Sequence, residues 1–204
     1  MRGTVDVVQK NFKVQDSSDV VVWLTPLHSE EPVEPGPKVR LLQKSKRFTP
    51  HLLVVKQGTQ IDFPNEDPFF HNVFSIYRGR PFDLGLYESG TTKSVRFTQP
   101  GASYIFCNIH PEMSAVVLVL KTSHFAQSAK DGSFQIANIP PGRYKLEIWY
   151  ERATEDELNS FTKEVEIKDG ENKLNTITLH STSEQKEHLN KYGEPYDKPT
   201  KTKY

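Results

Sequence analysis

Cys107-Asn108-Ile109-His110-Pro111-Glu112-Met113 is the stretch on which the reading of this chain turns. It holds the only cysteine, with His110 and Met113 following at equal intervals. A second histidine, His71, lies upstream in Pro68-Phe69-Phe70-His71-Asn72-Val73. Two imidazoles, one thiolate and a weak thioether form the ligand set of a blue-copper site. The sulfur donors favour Cu(I), and imidazole suits either oxidation state. Three of these ligands share one tight loop and the fourth lies on a distant strand, so folding must assemble the site. The same letters would arise from a buried free cysteine, which is common in cores, beside a surface histidine and a core methionine. The flanking sequence separates the two readings.

Phe48-Thr49-Pro50 leads into Leu52-Leu53-Val54-Val55-Lys56-Gln57-Gly58-Thr59, then Ile61-Asp62-Phe63-Pro64-Asn65, an acidic turn and His71-Asn72. Val95-Arg96-Phe97 precedes a Pro100-Gly101 turn and the strand Ser103-Tyr104-Ile105-Phe106 that delivers Cys107. In order and spacing, Val39 to Lys121 resembles the plastocyanin/azurin cupredoxin family, and the short ligand loop most resembles that of amicyanin. The resemblance implies a Greek-key β-sandwich with one type 1 copper, Cu(I)/Cu(II), held by His71, Cys107, His110 and Met113. It further implies that Asn72 ties the two ligand loops together near Asn108 and helps hold the thiolate. It implies an apolar electron port around the loop histidine, built from Pro68, Phe69, Phe70 and Pro111. Glu112 departs from an all-apolar rim. The segments Phe48–His51, His71–Ser75, Phe82–Gly85 and Cys107–Met113 are similar to those of bacterial proteins labelled methylamine-utilisation proteins.

The chain has 26 basic and 26 acidic residues, so no charge imbalance points to nucleic acid. One cysteine excludes an internal disulfide framework, and with it a dinuclear copper centre, which needs two bridging thiolates. No apolar run reaches the roughly 18 residues of a transmembrane helix. Met1-Arg2-Gly3 leads directly into strand-like Thr4-Val5-Asp6-Val7-Val8 and does not read as a signal peptide. The resemblance implies an exported protein, periplasmic or extracellular, whose export segment is missing from this sequence.

Short β-branched and aromatic runs alternate with turn signals, which predicts an all-β chain. Strands are expected near 4–9, 19–25, 38–43, 51–56, 59–63, 71–76, 92–97, 102–107 and 115–121, then 133–137, 143–150, 162–168 and 174–180. A helical turn is expected over Thr154–Ser160. Asp131-Gly132 suits a tight hairpin and Pro140-Pro141-Gly142 a turn with Gly at positive φ. Asp131 to Trp149 resembles a carboxypeptidase-regulatory, transthyretin-like β-sandwich, a domain that begins with two strands like 4–9 and 19–25. The expected organisation is therefore discontinuous, with residues 1–27 plus 122–180 forming that sandwich and a cupredoxin, 38–121, inserted in one of its loops. The alternative is two sequential units. Residues 181–204 read as a polar tail that is flexible or lies along the sandwich through Tyr192 and Tyr196.

His51 is placed beside a strand, either near the metal or as a structural or exposed residue. His28, His124, His180 and His188 lack ligand spacing and read as solvated. Glu155-Asp156-Glu157 lacks the alternation of a calcium loop, and no Ser–His–Asp arrangement is legible. The expected function is electron transfer without catalysis, with a redox partner such as a c-type cytochrome or an oxidoreductase. Two other classes stay open: a copper carrier or storage protein, and a structural module whose transthyretin-like part engages a protein or glycan.

Overall fold

The computed structural model describes residues 1–9, 12–14, 16–28, 33–76, 81–182 and 188–196. In chain order they form β1 (Arg2–Gln9), β2 (Phe12–Lys13) and β3 (Val21–Pro26). Next come β4 (Val39–Arg40), β5 (Leu42–Lys44), β6 (Arg47–Thr49), β7 (Leu52–Lys56) and β8 (Thr59–Pro64). They are followed by β9 (His71–Ser75), β10 (Phe82–Tyr87), β11 (Thr92–Phe97), β12 (Gly101–Cys107) and β13 (Ser114–Leu120). The series closes with β14 (Phe125–Gln127), β15 (Ser133–Gln135), β16 (Gly142–Trp149), the helix α1 (Glu155–Ser160), β17 (Lys163–Ile167) and β18 (Ile177–His180). The chain divides into two compact units, Met1–Pro32 with Thr122–Gln185 and Val33–Lys121 with Lys186–Tyr204. Among the described residues no helix is long and apolar enough to cross a membrane.

The first unit has two sheets, β15-β1-β18 with β2 on β1, and β14-β3-β16-β17. Period-two patterning builds both. In β1, Val5 and Val7 are fully buried between half-exposed Thr4 and Asp6. In β16, Tyr144, Leu146 and Ile148 point inward and Arg143 and Lys145 outward. These side chains share one core with Val20, Val22, Leu24, Phe134, Ile136, Ile167 and Leu179. Thr154 caps α1 by accepting the Glu157 N–H at 3.2 Å. The Asp131-Gly132 turn is present, but the strands flanking it are not a hairpin: β14 pairs with β3 and β15 with β1. Gly132 has φ +81° and its carbonyl accepts the Val5 N–H, and a Cβ there would lie 1.9 Å from the Val5 carbonyl oxygen. Only glycine allows that approach.

The second unit has a five-stranded sheet, β10-β9-β12-β13-β7, a three-stranded sheet, β11-β8-β4, and the β5–β6 ribbon. Ile61, Phe63 and Phe97 from the smaller sheet share a core with Val73, Ile105, Ala115 and Val117 from the larger, the arrangement of a β-sandwich. β13 runs antiparallel to β12 and parallel to β7. It is buried along nearly its whole length, hence its unbroken apolar sequence. β10 was not expected as a strand. Its register with β9 shifts between Asp83 and Leu86, where Gly85 has φ +65°, so a bulge hides the alternation. The described part of the tail within this unit, 188–196, bonds to the loop after β12.

Candidate metal centre

Three strand ends bring the donor atoms together. His71 opens β9 and Cys107 closes β12, and the two strands pair with Cys107 opposite Val73. The loop then turns back into β13. The Cys107 N–H donates to the Met113 carbonyl at 3.3 Å, and the Met113 N–H to the His110 carbonyl at 3.0 Å. This tight return turns His110 towards His71. Cys107 Sγ lies 3.5 Å from His71 Nδ1 and 3.6 Å from His110 Nδ1, and the two nitrogens are 3.2 Å apart. An ion at the centre of this triangle would sit about 2 Å from each atom, the length of a bond from imidazole or thiolate to a late first-row metal. Among the described residues this is the one cluster of its kind. Met113 is fully buried in the same core as Cys107.

The electrostatics favour a metal-binding state. Burial alone would push the Cys107 thiol up, but the bond to His71 and backbone N–H groups of Asn72, Ile109 and His110 hold it below the ordinary thiol range. Burial would pull His71 down, yet its contacts with Cys107 and Asp67 raise it above the usual imidazole value. His110 is lowered by burial and by the positive charge of His71 and Lys46. Its ring is therefore neutral, with a lone pair to give.

Asp67 was missed at the sequence level. Its Oδ2 lies 2.9 Å from His71 Nε2. The Ser45 and Lys46 N–H groups also donate to this carboxylate, at 2.6 and 2.9 Å. Ser45 and Lys46 both have φ 54°, so the β5–β6 turn points two successive amides at one anion. Burial would raise Asp67, but these donors and His71 hold it below the usual carboxylate range. A carboxylate only accepts, so Nε2 carries a proton and Nδ1 is the nitrogen that faces the sulfur, where its lone pair would be offered to a metal. The one sequence signal was the acidic turn before His71.

The expected tie between Asn72 and Asn108 takes a different form. The Asn108 N–H donates to the Asn72 backbone carbonyl at 2.9 Å. The Asn72 side chain instead donates to Asp83 Oδ1 at 2.5 Å, and Asn108 Oδ1 accepts the Lys191 N–H at 2.9 Å. The bulge in β10 turns Asp83 into reach of Asn72, which the sequence does not reveal. Of the expected port residues, Pro68, Phe70 and Pro111 are exposed, while Phe69 is half-buried with its ring 5.4 Å from the rings of both His71 and His110. Ile109, not singled out in the sequence, joins the exposed set, and His110 itself is half-exposed. His51 is exposed, with Nδ1 3.2 Å from the Ser114 carbonyl.

Two histidines read as solvated are not. His124 is half-buried edge-on to Tyr144. His188 stacks on Phe106 at 4.0 Å and donates from Nε2 to the Pro111 carbonyl at 2.7 Å. Tyr192 is exposed, whereas the half-buried Tyr196 donates its hydroxyl to the Cys107 carbonyl at 2.9 Å. Burial, with the nearby Cys107, pushes the Tyr196 phenol up, so it stays a neutral donor.

No protein-family model and no curated protein matches the chain. Among solved structures it is similar to a purple cupredoxin from Nitrosopumilus maritimus, with 21% identity over 40% of this chain and 99% of that one, TM-score 0.37. It is similar to amicyanin from Paracoccus versutus, with 21% identity over 52% of this chain and 100% of that one, TM-score 0.39. A copper-containing nitrite reductase from Thermus scotoductus shares 25% identity over 57% of this chain, which spans 28% of the reductase, TM-score 0.40.

Proposed function

We propose that this chain carries single electrons through one type 1 copper, which His71, Cys107 and His110 would hold together with Met113. The triangle of two imidazole nitrogens and one sulfur, with edges of 3.2–3.6 Å, carries the reading. Bound copper supplies a Cu(I)/Cu(II) couple, and a trigonal His2Cys set with a weak thioether serves both states. The residues do the rest. Cys107 enters as thiolate, which its backbone N–H partners favour. Asp67 fixes the His71 ring, and Cys107 would give up its thiol proton on binding a metal. Phe69 packs its ring 5.4 Å from both imidazoles. His110 is the half-exposed ligand, and Pro68, Phe70, Ile109 and Pro111 beside it form the port through which a redox protein, such as a c-type cytochrome or an oxidoreductase, would reach the metal.

In this reading the protein is an exported electron carrier, periplasmic or extracellular, and not an enzyme. The unit Met1–Pro32 with Thr122–Gln185 is read as a transthyretin-like sandwich. Its two four-stranded sheets around one core support that reading.

The test is a Cu(II) titration of the metal-free protein. One equivalent should give an intense thiolate-to-Cu(II) band, and Cys107→Ser should abolish it, because an alkoxide is a poor substitute for a soft thiolate. A colourless complex, or a band that survives in Cys107→Ser, would overturn the assignment.

A further inference from the structure

We propose that residues 188–196 form a strap that locks the two ligand-bearing segments together, with Lys191, Tyr196 and His188 as positioning residues for the metal centre. The purpose of the strap rests on the copper reading; its geometry does not.

Lys191 makes two bonds in opposite directions. Its backbone N–H donates to Asn108 Oδ1 at 2.9 Å, and its ammonium donates to Asp83 Oδ2 at 2.7 Å. The other Asp83 oxygen accepts from the Asn72 side chain, and the Asn72 carbonyl accepts the Asn108 N–H. The ring Asn72–Asp83–Lys191–Asn108 is therefore closed. It joins the residue after His71 to the residue after Cys107, so neither ligand can shift without breaking a bond in it. The Lys191 side chain is only 22% exposed, unlike that of a freely solvated surface lysine.

Tyr196 and His188 hold the loop at two further points. The Tyr196 hydroxyl donates to the Cys107 carbonyl, while the Cys107 N–H is taken by Met113. Both backbone groups of the thiolate residue are thus fixed. His188 lies flat on Phe106, the residue before Cys107, with an interplanar angle of 23°, and holds the Pro111 carbonyl next to His110. The strap bonds Cys107, Asn108 and Pro111 from one side. A centre that must keep one geometry in two oxidation states needs such external support, because the loop's own turn is short.

The experiment uses the full chain and three variants: Tyr196→Phe, which loses only a hydroxyl; Lys191→Met, which loses the ion pair; and Lys191→Arg, which keeps it. In the metal-free protein, amide hydrogen exchange of residues 108–113 should accelerate by about tenfold in the first two, the factor expected for one lost hydrogen bond at the upper end of its usual range. Exchange in β8 should stay unchanged, and Lys191→Arg should restore the wild-type rate. Loaded with copper, Tyr196→Phe and Lys191→Met should release the metal to a chelator faster by a similar factor and shift the visible band. Loop exchange that is unchanged in both variants, or that rises equally in β8, would overturn the strap. If loop exchange responds but no variant, nor the wild type, turns blue with Cu(II), the strap stands and the copper reading falls.

Discussion

His71 has two ring nitrogens, and Asp67 decides which of them faces the sulfur. The carboxylate is filled by the Ser45 and Lys46 N–H groups and by His71 Nε2. Asp67→Asn keeps the shape but removes the charge and turns one acceptor into a donor. Copper affinity should fall about 10- to 100-fold, the usual effect of losing a partner behind a metal-binding histidine. Competition with a chelator of known affinity measures it, and an unchanged affinity would show that the turn alone orients the ring. The pH dependence has a defined sign. The folded-state pKa of Asp67 is lowered, so its stabilisation is complete above the unfolded carboxylate value of about 3.9 and is lost as pH falls through the folded value. Denaturant unfolding of the metal-free Asp67→Asn protein should show lower stability throughout the neutral range and a flatter acid limb. Cys107 and His110 were legible because spacing within a short loop is local information, and His71 because the residues around it marked the start of a second strand. Asp67 was not, because its role needs the β5–β6 turn, more than twenty residues away in sequence, to close over it.

At the level of elements, alternation carried the reading wherever a strand is regular. β8, β11, β12 and β13 lie close to where polar and apolar residues alternate, or where an apolar run is unbroken. β10 escaped because Asp83 and Gly85 belong to residue types depleted in strands, and the bulge they form breaks the period. Yet that bulge places Asp83 between Asn72 and Lys191, so the least strand-like element helps tie the segments on either side of the site together. Turns can be tested in the same terms. Gly132→Ala places a Cβ 1.9 Å from the Val5 carbonyl oxygen at φ +81°. It should destabilise its unit by about 2–4 kcal/mol, strain and clash together. Gly170→Ala, at φ +92° with nothing within 4 Å, should cost only the conformational term, about 1–2 kcal/mol. Urea unfolding followed by fluorescence separates the two, because Trp23 and Trp149 lie on β3 and β16 of that unit. Equal effects would mean that β1 yields to the added methyl group.

For the molecule as a whole, the informative fact is where β1 and β3 stand. β1 lies between β15 and β18, and β3 between β14 and β16, so the N-terminal segment supplies an interior strand to each sheet of the first unit. The partners come from beyond residue 121, on the far side of the segment that holds every donor atom. The sequence suggested this pairing because the strands after 131 needed two more to close a sandwich. It did not reveal that both would be interior, since strand order depends on non-local contacts. The energetic consequence can be sized. Val5, Val7, Val20, Val22 and Leu24 are fully buried. At about 1.5–3 kcal/mol each, their burial matches the whole net stability of a typical domain, about 5–15 kcal/mol. A fragment of residues 122–185 should therefore not fold. It would leave β15, β18, β14 and β16 with unpaired edges and should aggregate. Adding a peptide of residues 1–32 in trans should restore β-sheet circular dichroism and solubility, saturating at one equivalent. If the 122–185 fragment is monomeric and cooperatively folded without that peptide, the interior strands are dispensable and the discontinuous organisation does not govern its stability.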